Sequence, residues 1–174
     1  SKVEEVVRTL DELLKRLEEH VKESIRRIKK VIDDSNREAD ELIRDIDRLL
    51  KELEKKPGSK ELTDEARKIA EKIRDVLRRL KEKYERLEKD IRDNVRRITE
   101  EVKRIEEDVE RLKEDGVDKD RVERIIRELR RILEEIRDLH RKLEEELRRS
   151  LKEVEDRLRE LLKKLEDILR ELRR

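Results

Sequence analysis

Cysteine, methionine, tryptophan and phenylalanine are absent from this chain of 174 residues, and one tyrosine is its only large aromatic residue. Without cysteine there is no disulfide framework, no thiolate zinc site and no thiol nucleophile. With one aromatic ring there is no platform on which nucleic-acid bases could stack. No apolar run approaches the roughly 20 residues needed to span a bilayer, so we predict no membrane partner.

An excess of charge of either sign is also missing. Charged residues make up 59% of the chain, but 52 basic and 51 acidic side chains leave a net charge of +1. The two signs are intermixed, so no basic face indicates a nucleic-acid partner. The apolar fraction of 32% is low enough for a disordered chain. The nearly balanced charge and a regular apolar period argue against disorder.

Helix breakers occur at only two places, "KKPGSKEL" with Pro57 and Gly58, and "EDGVDKD" with Gly116. They divide the chain into three segments of about 55 residues, and each segment is long enough to form one very long helix. In every segment apolar residues recur every three or four positions, as on a helix that buries one stripe. The stripe of the first segment includes Val6, Val7, Leu13, Leu14 and Leu17.

This pattern predicts helices over residues 2–56, 60–114 and 118–173. Gly116 suits the left-handed position that follows the second helix. Asp118 is the expected N-cap of the third helix. For the second helix we prefer Ser59 as the N-cap, and Thr63 is the alternative.

Short loops between long helices favour antiparallel neighbours. We therefore predict an all-α fold: an up-down-up antiparallel three-helix bundle, coiled-coil-like, forming a single domain over residues 1–174. Three stripes in one chain can cover one another, so a monomer of high thermal stability is expected. A homo-oligomer is the alternative.

Polar residues interrupt the apolar stripes at two levels of the predicted bundle. When the chain is folded about Gly58 and Gly116, one polar layer collects Ser35, Asn36, Tyr84 and Ser150. The second polar layer collects His20, Ser24, Asn94, Thr99 and His140. We interpret both layers as buried hydrogen-bond networks. A network whose members come from different helices tolerates one pairing, whereas a purely apolar stripe tolerates several.

The alternative is that these residues face outward at the edges of the stripes. It applies most to His20, Asn36 and Thr99, which adjoin apolar stripe residues. Where a histidine is buried we expect a neutral ring, because a buried imidazolium is costly.

Chemical functions have little support in the sequence. His20 and His140 could bind a divalent metal with a carboxylate, but no third ligand appears at matching spacing. His140 beside Ser24 offers a base and a hydroxyl, yet a closed helical core provides neither an oxyanion hole nor a pocket. We therefore predict no catalytic residue, no metal site and no cofactor, and we expect that the protein is not an enzyme.

The matched segments, the "KKPGSKEL" and "DGVDKD" loops, the Leu/Ile/Val stripes and the Glu/Lys/Arg surface resemble a computationally designed helical bundle. The two polar layers resemble designs with deliberate buried hydrogen-bond networks. The resemblance implies an artificial structural scaffold that needs no partner, and we expect it to be soluble and cytoplasmic when expressed recombinantly. The alternative function is a helical interaction module: a subunit of a designed oligomer, or a binder that uses an outer helix face.

Overall fold

The structure is a computed structural model that describes residues 2–172, apart from the side chains of Leu14 and Leu17. Over these residues it contains three α-helices and no strand: α1 Lys2–Lys55, α2 Lys60–Glu114 and α3 Lys119–Leu172. The all-α fold class is confirmed. The predicted end of the third helix at residue 173 lies outside the described residues, as do the stripe positions assigned to the two leucine side chains.

The turn between α2 and α3 ends the helix as predicted. Gly116 has a φ of 85°, in the left-handed region. The Gly116 N–H donates to the Lys113 carbonyl and the Val117 N–H donates to the Leu112 carbonyl, the bond pair of a Schellman motif. Gly58, between α1 and α2, is also left-handed with a φ of 87°. Both breakers therefore act through backbone conformations that other residues rarely adopt.

The helix N-termini are capped at the positions the sequence favours. The Leu62 N–H donates to Ser59 Oγ at 3.4 Å, so Ser59 caps α2. The Asp120 N–H donates to Asp118 Oδ1, also at 3.4 Å, at the start of α3. Thr63, the competing cap, lies inside α2 and donates its hydroxyl to the Ser59 carbonyl. Each cap satisfies one N–H that the first helical turn leaves without a partner.

The chain divides into two compact units, and each contains part of every helix. Within the described residues, unit 1 comprises 2–27 and 87–145, and unit 2 comprises 28–86 and 146–172. The core of unit 1 contains Val102, Val109, Val122 and Leu129, among others. The core of unit 2 contains Ala39, Leu42, Ile46, Ala66, Ile73, Leu158 and Leu165, among others. Each unit therefore buries its own apolar stripes.

One stripe assignment is wrong. Val7 is 44% exposed, whereas its neighbour Val6 is half-buried and packs against the core of unit 1. Adjacent residues on a helix point about 100° apart, so only one member of a pair can occupy the centre of a narrow stripe. Val7 lies on the outer side.

Exposed ion pairs connect the helices within each unit. In unit 1, Arg16 of α1 pairs with Glu101 of α2 at 3.1 Å. In unit 2, Arg157 of α3 pairs with Asp40 of α1 at 3.0 Å. Such exposed pairs contribute about 0–1 kcal/mol each, so burial of the stripes dominates the stability. None of the described helices has a stretch long and apolar enough to cross a membrane.

Candidate functional site

The first polar layer lies in unit 2, where all three helices contribute to one small cavity. Ser35 of α1, Tyr84 of α2 and Ser150 of α3 form part of its wall. The cavity measures about 20 Å³, close to the volume that one water molecule needs. The other wall residues are Val31, Ile32, Leu80, Leu147, Leu151 and Val154. Asn36 is half-buried and is not part of this wall.

Ser35 is the most deeply buried member of this layer, with 7% of its surface exposed. Its hydroxyl donates to the carbonyl of Val31 at 2.7 Å, one turn earlier on the same helix. A serine satisfied by its own helix keeps that bond whichever helix lies opposite. The Ser35 hydroxyl therefore does not distinguish one helix pairing from another.

Tyr84 makes a hydrogen bond between two helices. Arg148 Nε of α3 donates to the Tyr84 hydroxyl of α2 at 2.9 Å. Sequence reasoning missed Arg148, although it lies as many residues after Gly116 as Tyr84 lies before it. Folding the chain about that glycine therefore places the two opposite each other, and the signal was present. The charge of Arg148 obscured that signal, because a charged side chain is typical of an exposed residue.

The second polar layer lies in unit 1. His20 belongs to an open groove of about 360 Å³ between α1 and α2, whose wall also includes Asn94, Glu19, Glu23 and Glu101. A different groove, between α1 and α3, includes both Val21 and Leu139. Since these two residues directly adjoin His20 and His140 in the chain, the two histidines lie at the same level of unit 1. Neither groove wall includes Ser24 or Thr99.

Thr99 and Ser24 are both half-buried. Thr99 Oγ1 donates to the Val95 carbonyl at 2.8 Å, again within one helix. Its hydroxyl therefore has the same local partner as that of Ser35, a carbonyl one turn earlier. His20, Asn94 and His140 therefore lie where they can contact another helix. The Thr99 hydroxyl is instead satisfied within its own helix.

His140 is almost completely buried, with 2% of its surface exposed. Its Nδ1 lies 2.8 Å from the carbonyl oxygen of Ile136, and a carbonyl can only accept. We therefore assign the proton of the neutral ring to Nδ1 and a free lone pair to Nε2. Burial lowers the pKa of His140 below its usual value. The Ile136 carbonyl opposes this shift, the charge of His20 adds to it, and Glu144 opposes it.

Both histidines have an Nε2 atom that is shielded from solvent and has no hydrogen-bond partner among the described residues. A buried nitrogen without a partner costs about 1–3 kcal/mol. Sequence reasoning placed both rings in one layer but did not show this, because the orientation of a ring depends on its side-chain rotamer.

The described residues contain no group of three or more histidine, aspartate or glutamate side chains arranged to hold a metal ion. The larger open grooves are lined mainly by charged side chains, with the exception of the apolar groove between α1 and α3 in unit 1. Comparison with protein-family models, curated proteins and solved structures found no match to this chain.

Proposed function

We propose that this protein is an artificial structural scaffold: a designed, single-chain, up-down-up antiparallel three-helix bundle, coiled-coil-like, with buried polar layers that specify how its helices pair. In this proposal it is not an enzyme, requires no cofactor and works as a monomer. The observation that carries the proposal is the shared cavity of unit 2, to which each helix contributes one polar residue, Ser35, Tyr84 or Ser150.

The specificity comes from the bonds that cross between helices. The hydrogen bond between Arg148 and Tyr84 needs α2 and α3 in one register. A shifted register would lose this hydrogen bond, which lies near the surface, at a cost of about 0.5–1.5 kcal/mol. Ser35 is satisfied within α1, so it adds nothing to this discrimination.

The regularity of the chain supports a designed origin. Three helices of 54, 55 and 54 residues follow one another, joined by short turns with glycine and serine or aspartate at the expected capping positions. Exposed arginines repeatedly pair with acidic residues one turn away, as Arg48 does with Asp45 and Arg78 with Asp75. Idealised helices and consistent capping are features of designed proteins, which are commonly very stable. We expect a thermal midpoint above about 90 °C.

The proposal is tested by replacing the first layer with apolar residues of similar size: Ser35→Ala, Asn36→Leu, Tyr84→Phe and Ser150→Ala. We expect the variant to remain helical with equal or higher stability, because burying apolar groups avoids the cost of polar burial. We also expect additional amide resonances, since several pairings become close in energy. A matched control carries Ser35→Ala alone, and we expect it to keep a single set of amide resonances. A single sharp set from the fourfold variant would contradict the proposed role of the layer.

A second function, as a helical interaction module, is favoured by one surface of unit 1. The groove between α1 and α3 includes Val21, Ile132, Ile136 and Leu139 and measures about 340 Å³. An amphipathic helix could place apolar side chains there. Light scattering at two concentrations distinguishes the two functions. The scaffold proposal predicts a mass near 21.4 kDa at both concentrations, whereas a module that binds itself shows a mass that rises with concentration.

A further inference from the structure

His20 and His140 provide two imidazole nitrogens at one level of unit 1, on different helices. Their sequence neighbours Val21 and Leu139 belong to the same groove wall between α1 and α3. Both Nε2 atoms are buried and have no hydrogen-bond partner among the described residues.

The protonation state of His140 suits metal binding. Its Nδ1 is held by the Ile136 carbonyl at 2.8 Å, which leaves the Nε2 lone pair unprotonated in the neutral ring. A histidine that binds a metal through one nitrogen generally donates the other N–H to a carbonyl or carboxylate, which fixes its tautomer and orientation. A neutral ring in this tautomer presents the Nε2 lone pair that a metal ion requires.

A route and a source of compensating charge are also present. His20 belongs to the solvent-open groove between α1 and α2, which gives an ion access to one side of the pair. The same groove is lined by three glutamates and two arginines, which leaves it one net negative charge: Glu19, Glu23, Glu101, Arg16 and Arg97. The glutamates do not join the histidines in a set of three protein ligands, so solvent in the groove has to complete the coordination.

We propose that His20 and His140 form a two-histidine site for a divalent late transition-metal ion, with Zn²⁺ as the probe. The two Nε2 atoms bind the ion at about 2.0–2.1 Å, and water fills its remaining positions. The sequence alone did not predict this site because it showed no third ligand. The two buried, unpartnered nitrogens are the additional observation.

The test is a calorimetric titration of chelator-treated protein with Zn²⁺ at pH 7.5. We expect one ion per chain in the stronger binding step. His20→Asn and His140→Asn should each weaken that step by at least about tenfold, because even the loss of a group that only orients a ligand weakens metal binding about 10–100-fold. The double variant with both histidines replaced by asparagine keeps all 51 acidic residues, so the binding it retains is that of surface carboxylates. Glu19→Gln is the matched groove control and should change the affinity less than either histidine variant.

Nitrogen NMR of the parent protein gives a readout that does not depend on a variant folding. Stoichiometric Zn²⁺ should shift the imidazole Nε2 resonances of both residues, with the Nδ1–H of His140 retained. The proposal is overturned if neither Nε2 resonance shifts, or if only that of His20 does. It is also overturned if the folded double variant binds Zn²⁺ as tightly as the parent, or if His140→Asn has no effect.

Discussion

Lowering the pH should destabilise the protein through His140. The neutral ring is buried, and burial lowers its pKa in the folded state below the value of about 6.5 expected in the unfolded chain. As the pH falls through 6.5, the unfolded chain therefore takes up a proton before the folded protein does. The contribution of His140 to stability is fully present above about pH 6.5 and declines below it, until the folded form also becomes protonated.

The size of the effect is limited by one proton. While only the unfolded chain is protonated at this position, the free energy of unfolding falls by at most about 1.4 kcal/mol per pH unit. In the folded state, the charge of His20 opposes protonation of His140 and that of Glu144 favours it. The loss should therefore be visible between about pH 6.5 and pH 5.

Guanidinium denaturation at several pH values between 7.5 and 5, with a chelator present, measures this loss. The comparison is His140→Asn, which keeps every carboxylate, so that the titration of acidic residues contributes equally to both proteins. We expect the parent to lose more stability than the variant on acidification. Equal losses in the two proteins would show that His140 titrates alike in the folded and unfolded chains, and the inference of a buried neutral ring would be refuted.

Three substitutions test the packing and the turns by denaturant unfolding. Leu158→Ala should lower the free energy of unfolding by about 2–5 kcal/mol, because Leu158 is fully buried in the core of unit 2. Leu162 is only half-buried, so Leu162→Ala should cost less, and equal costs would contradict the burial pattern. Ser35→Ala should change stability by less than about 1 kcal/mol, because its hydroxyl bonds only the Val31 carbonyl of the same helix; a larger loss would indicate a partner on another helix. Gly116→Ala should cost about 1–2 kcal/mol because its φ is 85°, although no side chain or backbone atom crowds the position, and an unchanged stability would contradict that backbone assignment.

The helices were predictable because the sequence marks their ends. In the first turn Gly58 takes the left-handed backbone conformation and Ser59 the capping position, and in the second turn Gly116 and Asp118 do the same. These signals are local and depend on no distant contact. The difference at Val7 arose because periodicity locates a stripe but does not show which member of an adjacent pair lies at its centre.

The sequence placed three members of the first polar layer together but did not show how their hydroxyls bond. Folding about the glycines brought Ser35, Tyr84 and Ser150 to one level, and they line one cavity. Whether a hydroxyl bonds its own helix or another depends on its rotamer, and Ser35 bonds its own helix. The unpaired nitrogen of His140 could not be predicted for the same reason, since it follows from the bond between Nδ1 and the Ile136 carbonyl.

Cysteine crosslinking tests most directly whether the first polar layer specifies helix pairing. The chain has no cysteine, so introduced thiols are the only reactive ones. Arg74→Cys with Glu166→Cys reports the observed pairing, because these residues form an ion pair between α2 and α3 at 3.0 Å. Arg67→Cys with Glu166→Cys reports a shift by two helical turns along α2.

Both cysteine pairs are compared with a short bis-maleimide linker in the parent background and in the fourfold apolar variant. The account predicts that the parent crosslinks only through the Arg74 and Glu166 positions, whereas the apolar variant crosslinks through both pairs. If the apolar variant remains as selective as the parent, the loops and apolar packing alone fix the pairing, and the proposed role of the polar layer is contradicted.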